Sequence, residues 1–106
     1  MNKFMRILVF FDLPVKTKPE RKTATKFRSF LLKDGYHMLQ FSIYARTCNG
    51  NDAVEKHKKR LYEAVPDNGS VRLLVITEKQ YQSIEILVGD LKEFDKNFTY
   101  EQLTLY

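Results

Sequence analysis

A run of residues near the start of the chain has the composition of a buried β-strand. Residues 6–11 are mostly apolar and β-favouring, and the run stops at Asp12, which is followed by Leu13 and Pro14. A buried strand ends where its sheet meets solvent, so the pattern places the Asp12 carboxylate at the edge of a sheet, facing whatever binds there. No other acidic residue of the sequence is placed so distinctively.

Length and charge limit both the fold and the partners. A chain of 106 residues has room for one core, so we expect a single domain over residues 1–106. The 18 Lys and Arg residues outnumber the 13 Asp and Glu residues, which gives a formal charge of +5. This excess of positive charge favours a polyanionic partner such as nucleic acid.

The remaining composition argues against several other classes of site. The first apolar run is too short for a signal-peptide core or a membrane span, so we expect a cytoplasmic protein without membrane contact. Cys48 is the single cysteine, which excludes an intrachain disulfide, and it is interpreted as an apolar core residue. His37 and His57 lack the spacing of a shared metal site and are interpreted as ordinary strand and helix residues.

Two segments have the period and the flanking residues of helices. Thr17 and Glu20 have the spacing of a capping box, so the first helix is predicted to begin here and to stop at Gly35. Its predicted buried stripe is Ala24, Phe27, Phe30 and Leu31. A second helix is predicted over residues 52–65, before a Pro-Asp-Asn-Gly segment that ends it.

Alternation of apolar and polar residues predicts the remaining strands. Residues 36–46 form a long or bent strand segment. One of its faces is predicted to carry Leu39, Phe41, Ile43 and Ala45, with Phe41 in the core, and the other face Met38, Gln40, Ser42, Tyr44 and Arg46. Residues 71–76 are apolar except for Arg72 and are predicted to form a central strand. A shorter strand is predicted over residues 84–88, and weak alternation over residues 102–106 predicts a last edge strand, which could pair with another chain.

The order of these elements is strand, helix, strand segment, helix, strand, strand. Two helices on one face of a mainly antiparallel sheet give the compact arrangement for this order. That arrangement is the ferredoxin-like α+β fold, βαββαβ with an additional C-terminal strand segment. Because this fold supports many functions, the function has to be argued from particular residues.

The Asp12 carboxylate permits two interpretations. Mg²⁺ takes one or two carboxylates together with waters and substrate phosphates, and a two-fold dimer would bring two copies of Asp12 together. Such a site would polarise a phosphodiester and activate a water molecule. The alternative is that Asp12 only caps the turn before Pro14.

Basic residues of the loop after this carboxylate and of the first helix are candidates for nucleic-acid binding. These candidates are Lys16, Lys18, Arg21 and Lys22. They lie where the chain leaves the sheet and enters the helix, and contacts between such side chains and phosphates add affinity by releasing counterions. The alternative is a solvated helix face that binds nothing.

Five short motifs resemble the second universal CRISPR-associated protein family. They are Phe-Asp-Leu-Pro at 11–14, Pro-Glu-Arg-Lys at 19–22, Gln-Phe-Ser-Ile-Tyr at 40–44, Gly-Ser-Val-Arg at 69–72 and Thr-Glu-Lys-Gln at 77–80. Their order and spacing fit this family across nearly the whole chain. The last motif and the chain length are most similar to members from systems with a single large effector nuclease.

The resemblance implies a ferredoxin-like homodimer that bridges two dimers of the CRISPR integrase and holds the double-stranded DNA of a new spacer. It also implies a magnesium-dependent endonuclease, with Asp12 as catalytic residue and metal ligand. The chain departs from the family at Phe11, where many members have Tyr, and at Met38, where many have Arg. A scaffold role depends on neither position.

Two functions of different classes therefore stay open. The first is a structural subunit of the spacer-acquisition complex, which could also hydrolyse RNA or DNA. The second is a free-standing, metal-dependent endoribonuclease, as in the toxin ribonucleases that share this fold. The extensive basic surface and the single candidate carboxylate favour the first.

Overall fold

The computed structural model describes residues 3–88, which form an antiparallel sheet and three helices. The elements in chain order are β1 (Phe4–Asp12), α1 (Lys18–Lys33), β2 (His37–Gln40), β3 (Ile43–Asn49), α2 (Asn51–Ala64), β4 (Ser70–Thr77) and α3 (Glu78–Gln82). The four strands lie in the order β2-β3-β1-β4. This βαββαβ arrangement with its short additional helix is ferredoxin-like, so the predicted fold class is confirmed.

Strand β1 is central in the sheet because it pairs with both β3 and β4. Ile7, Val9 and Phe11 point to the same face and belong to the hydrophobic core, which also contains residues of α1 and α2. The ring of Phe11 meets the ring of Phe27 edge to face, with 5.2 Å between their centroids. Burying each such side chain contributes about 1.5–3 kcal/mol, so both helices pack on this face of the sheet.

Helix α1 begins and ends at the predicted signals. The hydroxyl of Thr17 accepts a hydrogen bond from the Glu20 N–H at 3.2 Å, and the Glu20 carboxylate accepts one from the Thr17 N–H at 2.9 Å. This pair is the predicted capping box. The helix ends at Lys33, and Gly35 follows with a φ of +92°. Of the predicted stripe, Ala24, Phe27 and Leu31 are buried, and Phe30 packs against the core from a half-buried position.

Residues 36–46 were predicted to form one long or bent strand segment, and this prediction is wrong. The structure has two strands, β2 and β3, joined by a tight turn in which Ser42 has a φ of +66°. The turn and a register shift within β2 interrupt the alternation, so Phe41 is exposed although it was predicted to face the core. Tyr44, which was predicted to lie on the other face, is buried.

Two further predictions about strands are wrong. β4 was predicted to be central, but among the described strands it lies at an edge of the sheet. Residues 84–88 form no strand and instead follow α3, which the sequence did not predict. The second helix covers Asn51–Ala64 and matches its prediction within one residue. The predicted last strand over residues 102–106 lies outside the described residues.

No helix within residues 3–88 is long and apolar enough to cross a membrane.

A partly buried polar cluster joins the C-terminal end of α1 to α2 and β3. The Nδ1 atom of His57 lies 2.8 Å from Oδ2 of Asp34, and Nη1 of Arg60 donates to Oδ1 of Asp34 at 2.8 Å. Arg46 donates to the Asp34 main-chain carbonyl. Burial alone would raise the pKa of Asp34, but hydrogen bonds from His57 and Arg60 outweigh it and lower that pKa. His57, interpreted as an ordinary helix residue, is therefore a member of this cluster.

We predict that Asp34→Asn lowers the free energy of unfolding by about 3 kcal/mol at neutral pH, because it leaves the partners of a mostly buried carboxylate without its charge. A lowered pKa in the folded state stabilises the fold above the unfolded-state pKa of about 4, and this contribution is lost as the pH falls through the folded-state value. The difference between the two proteins should therefore shrink below about pH 4. Urea unfolding at several pH values measures it.

Asp67→Asn is the matched control, because it removes an exposed carboxylate from the loop after α2. A difference between wild type and Asp34→Asn that stays constant down to pH 2.5, or equal effects of the two substitutions, would contradict this account of the cluster.

Candidate nucleic-acid interface

The structure places Asp12 where the sequence predicted it. It is the last residue of β1, it is exposed, and it lies opposite Ser70 at the start of β4. Within residues 3–88 its carboxylate makes no hydrogen bond or ion pair. The side chain is therefore available to a ligand. The alternative interpretation was that Asp12 caps the turn before Pro14, but its carboxylate has no hydrogen-bond donor for such a cap within residues 3–88.

The loop from Asp12 to α1 is fixed by side chains at the start of the helix. Nη1 of Arg21 donates to the carbonyl oxygens of Val15 at 3.2 Å and of Lys16 at 2.9 Å. The Glu20 carboxylate accepts a hydrogen bond from the Lys16 N–H at 2.9 Å. Hydrogen bonds from the Thr17 and Lys16 main chains lower the pKa of Glu20, so the carboxylate stays ionised and keeps holding the loop.

A second contact supports this loop from the segment before β4. Gly69 has a φ of +95°, and a Cβ at this position would lie 2.8 Å from the Asp12 carbonyl oxygen and 2.8 Å from the Leu13 side chain. The main chain at Gly69 therefore passes so close to the end of β1 that only glycine fits. This close approach fixes the main chain at Asp12 between the loop and β4.

Most of the predicted basic residues lie together. Lys18, Arg21 and Lys22 line one shallow, open surface along α1 with Thr25 and Lys26, and we call this surface the α1 groove. Lys16 does not line the groove and belongs to the exposed loop just before it. Part of the guanidinium of Arg21 is occupied by the loop carbonyls, so this residue, predicted only as a phosphate contact, also positions the loop.

The described residues offer few ligands for a metal ion. No group of three or more His, Cys, Asp or Glu side chains in residues 3–88 is arranged to hold one. A metal at Asp12 would need waters, substrate phosphates or a second copy of the chain to complete its coordination. Cys48 is buried, burial raises the pKa of its thiol, and it packs in the core as predicted.

Three of the five motifs meet at the Asp12 end of the sheet. Asp12 in the first motif pairs with Ser70 in the fourth, and the Phe11 N–H donates to the Ser42 carbonyl in the third at 3.1 Å. The second motif, at 19–22, forms the first turns of α1 beside them. The motifs therefore converge on one exposed carboxylate and the basic start of one helix.

Comparison with known proteins identifies the family. The family model for CRISPR associated protein Cas2 matches residues 5–84. The chain belongs to the Cas2 family. It is similar to the CRISPR-associated endoribonuclease Cas2 of Acidovorax ebreus, with 51% identity over 96% of this chain and 100% of that protein. The protein of the same name from Campylobacter jejuni is 44% identical over 99% of this chain and 73% of its own length.

The fold also matches a solved Cas2 structure. The crystal structure of Streptococcus pyogenes Cas2 at pH 6.5 superposes with a TM-score of 0.58, covering 78% of this chain and 99% of that one. At 21% identity the match shows a shared fold. The resemblance inferred from the five motifs is thus confirmed at the level of the Cas2 family.

We predict that Gly69→Ala destabilises the protein more than Gly50→Ala. Both glycines have a positive φ, and strain in such a conformation costs an alanine about 1–3 kcal/mol. A Cβ at Gly50 meets nothing within 4 Å, whereas one at Gly69 also pushes the end of β1. Urea unfolding of both variants measures the difference. Equal losses of stability would show that the Asp12 main chain is free to move.

We predict that Arg21→Ala lowers the free energy of unfolding by about 1–2 kcal/mol, because it removes hydrogen bonds to two loop carbonyls. Lys22→Ala is the control, since it removes the same charge from the next residue, which is exposed. We expect this second variant to change stability by less than about 0.5 kcal/mol. If thermal or urea unfolding gave the same value for both, Arg21 would not be fastening the loop.

Proposed function

We propose that this chain is a duplex-DNA-binding, structural subunit of the CRISPR spacer-acquisition complex, where a homodimer bridges two integrase dimers in the cytoplasm. A magnesium-dependent endonuclease activity at Asp12 is a second, separable property in this proposal. The observation that carries it is the combination of the basic α1 groove with the exposed carboxylate of Asp12 at the end of β1. Such a site has many contacts for binding and few groups for chemistry.

Charge supports binding to a nucleic-acid backbone. The α1 groove and Lys16 present exposed cations along one helix and its entry loop. Lysine and arginine contacts to phosphates carry no base information, so binding through them does not depend on sequence. The proposed ligand is therefore double-stranded DNA without sequence preference.

The free edge of the sheet supports a homodimer. Within the described part of the chain, β4 pairs with β1 alone, so its outer edge presents main-chain groups that could accept another strand. Leu74 of this strand is half-exposed. A second copy that covers this edge would satisfy these groups and bury apolar surface.

A homodimer would also supply additional ligands for a metal ion at Asp12. Asp12 is the residue of this chain that would hold Mg²⁺, and a two-fold axis near the end of β1 would supply a second carboxylate from the other copy. When bound, the metal would polarise the phosphodiester and lower the pKa of a coordinated water. The groups of the α1 groove would hold the nucleic acid beside Asp12 and neutralise its charge.

The alternative is a free-standing endoribonuclease. The names of the similar proteins from Acidovorax ebreus and Campylobacter jejuni include this activity, and RNA would be the substrate. The cationic surface would bind single-stranded RNA as well, so the two functions differ mainly in whether a stable complex with the integrase forms.

We predict that replacing three lysines at the Asp12 end with alanine weakens duplex binding and flattens its dependence on salt. The lysines are Lys16, Lys18 and Lys22, and Arg21 is left in place because it supports the loop. Each lost phosphate contact reduces the slope of log K against log [salt] by about 0.9. Fluorescence anisotropy with a duplex at several salt concentrations measures this slope.

The matched control replaces Lys56, Lys59 and Lys79, which are exposed and lie on α2 and α3. This variant removes the same charge from other parts of the surface. Its slope of log K against log [salt] should therefore stay close to that of the wild type. If the two triple variants had the same slope, the footprint of the DNA would not be the α1 groove.

We predict that Asp12→Ala abolishes magnesium-dependent cleavage but leaves spacer acquisition largely intact. Hydrolysis needs the carboxylate, whereas bridging needs the dimer and its positive charge. The substitution is at an exposed strand end, so it should cost on the order of 1 kcal/mol of stability or less. Cleavage by the purified variant and new-spacer insertion in cells are measured in parallel.

Asp67→Ala controls for the loss of an exposed carboxylate nearby and should affect neither assay. If folded, integrase-bound Asp12→Ala failed to support insertion, the metal site would be part of acquisition and the preference for a scaffold would be wrong.

A further inference from the structure

An exposed aromatic side chain stands at the Asp12 end of the sheet. Phe41 occupies the turn between β2 and β3 and is 78% exposed. The turn is held in place, because the Ser42 carbonyl accepts a hydrogen bond from the Phe11 N–H at 3.1 Å. Ser42 itself has a φ of +66°, a conformation that non-glycine residues rarely adopt. The aromatic ring is thus presented to solvent by a fixed turn.

The register of the sheet relates Phe41 to the carboxylate. Phe10 pairs with Ile43 across β1 and β3, and the Phe11–Ser42 hydrogen bond continues this pairing one residue before the start of β3. Asp12 is the next residue after Phe11 in β1, and Phe41 is the residue before Ser42 in the turn. Both side chains therefore belong to the same end of the sheet.

The charge around the ring comes from α1. The guanidinium carbon of Arg28 lies 5.7 Å from the centroid of the Phe41 ring, within the range of a cation–π contact. Arg28 is spaced three residues from Thr25 and seven from Arg21, so it continues the same side of the helix that forms part of the α1 groove. A chain of cations thus leads along α1 to an exposed aromatic ring.

We propose that Phe41 is a stacking platform for an unpaired nucleobase at the end or junction of a bound nucleic acid. The phosphates of that strand would follow the α1 groove, and Arg28 would neutralise the phosphate next to the stacked base. This inference rests on the proposed binding of nucleic acid and adds to it a preference for a duplex with a single-stranded extension. Stacking tolerates any base, because every base has a π-face.

The surroundings favour a nucleic acid over a protein as the partner of Phe41. An apolar protein surface would bind best to an uncharged patch, since covering Arg28 would remove a guanidinium from water. A polyanion gains from the same guanidinium and from the α1 groove beyond it. A contact with the integrase is the competing occupant, and the experiment below separates the two.

The test compares three DNA probes by fluorescence anisotropy with the full chain. They are a blunt duplex, the same duplex with a five-nucleotide thymine extension, and the same duplex with an abasic extension of equal length. Because stacking of one base contributes about 1–3 kcal/mol, the wild type should bind the thymine extension about 5- to 160-fold more tightly than the abasic one. The abasic probe controls for the added phosphates.

Variants at Phe41 then separate stacking from apolar contact. Phe41→Ala and Phe41→Leu should lose the preference for thymine over abasic extensions, whereas Phe41→Trp should keep or increase it. All three should bind the blunt duplex as the wild type does, because the α1 groove is unchanged. Retention of the preference by Phe41→Ala or Phe41→Leu would overturn the inference.

Two other outcomes locate the error if the inference fails. If the wild type bound none of the probes, the proposed nucleic-acid function would fail and the inference with it. If Phe41→Ala bound every probe like the wild type but no longer co-purified with the integrase, Phe41 would belong to a protein interface. Photocrosslinking gives independent support for stacking on Phe41. A duplex with 5-iodouracil in its extension should crosslink to Phe41, and mass spectrometry of the crosslinked peptide identifies the residue.

Discussion

The pairing of β1 on both of its edges is the constraint on which the rest of the structure depends. Its register with β3 places the turn at Ser42 beside Phe11, and its register with β4 places Ser70 opposite Asp12. A shift of either register by one residue would move every side chain of the shifted strand to the other face of the sheet. The apolar residues of β1 prevent such a shift, because alternate ones must face α1 and α2.

The same strand also fixes parts of the molecule that are distant in sequence. Arg6 of β1 forms an ion pair with Glu78 of α3 at 2.7 Å, and its guanidinium lies 4.0 Å from the centre of the Tyr81 ring. At the opposite end, the main chain of Asp12 is confined by Gly69. One end of β1 thus holds α3, and the other presents the carboxylate between the fixed loop and the turn that carries Phe41. The candidate interface is rigid because it is built on this central strand.

The sequence predicted those features that depend on local chemistry. The end of β1 at Asp12 and the capping box at Thr17 were predicted because apolar alternation and cap residues are readable over a few positions. The turn at Ser42 was not predicted, because a non-glycine residue with positive φ gives no turn signal. α3 was also missed, although Thr77 and Gln80 form a capping box of the same type as the one before α1.

Tertiary contacts decided the remaining differences. Nothing close in sequence links Asp34 to His57, and both look like ordinary polar residues until α1 and α2 pack together. The apolar composition of β4 is typical of a central strand. An edge strand can have the same composition when one of its faces packs on helices. The second role of Arg21 depends on how the loop folds back over the helix. Sequence therefore predicted the residues of the candidate interface, and the structure showed which contacts hold them.

The central claim is that the chain acts as a bridging dimer and not as an isolated nuclease. It is tested most directly by co-expressing the full chain with the integrase of the same CRISPR system, adding a DNA duplex and measuring the mass of the purified assembly by mass photometry. The account predicts one particle that contains two copies of this chain and two integrase dimers. A chain that separates from the integrase and cleaves RNA on its own would contradict it.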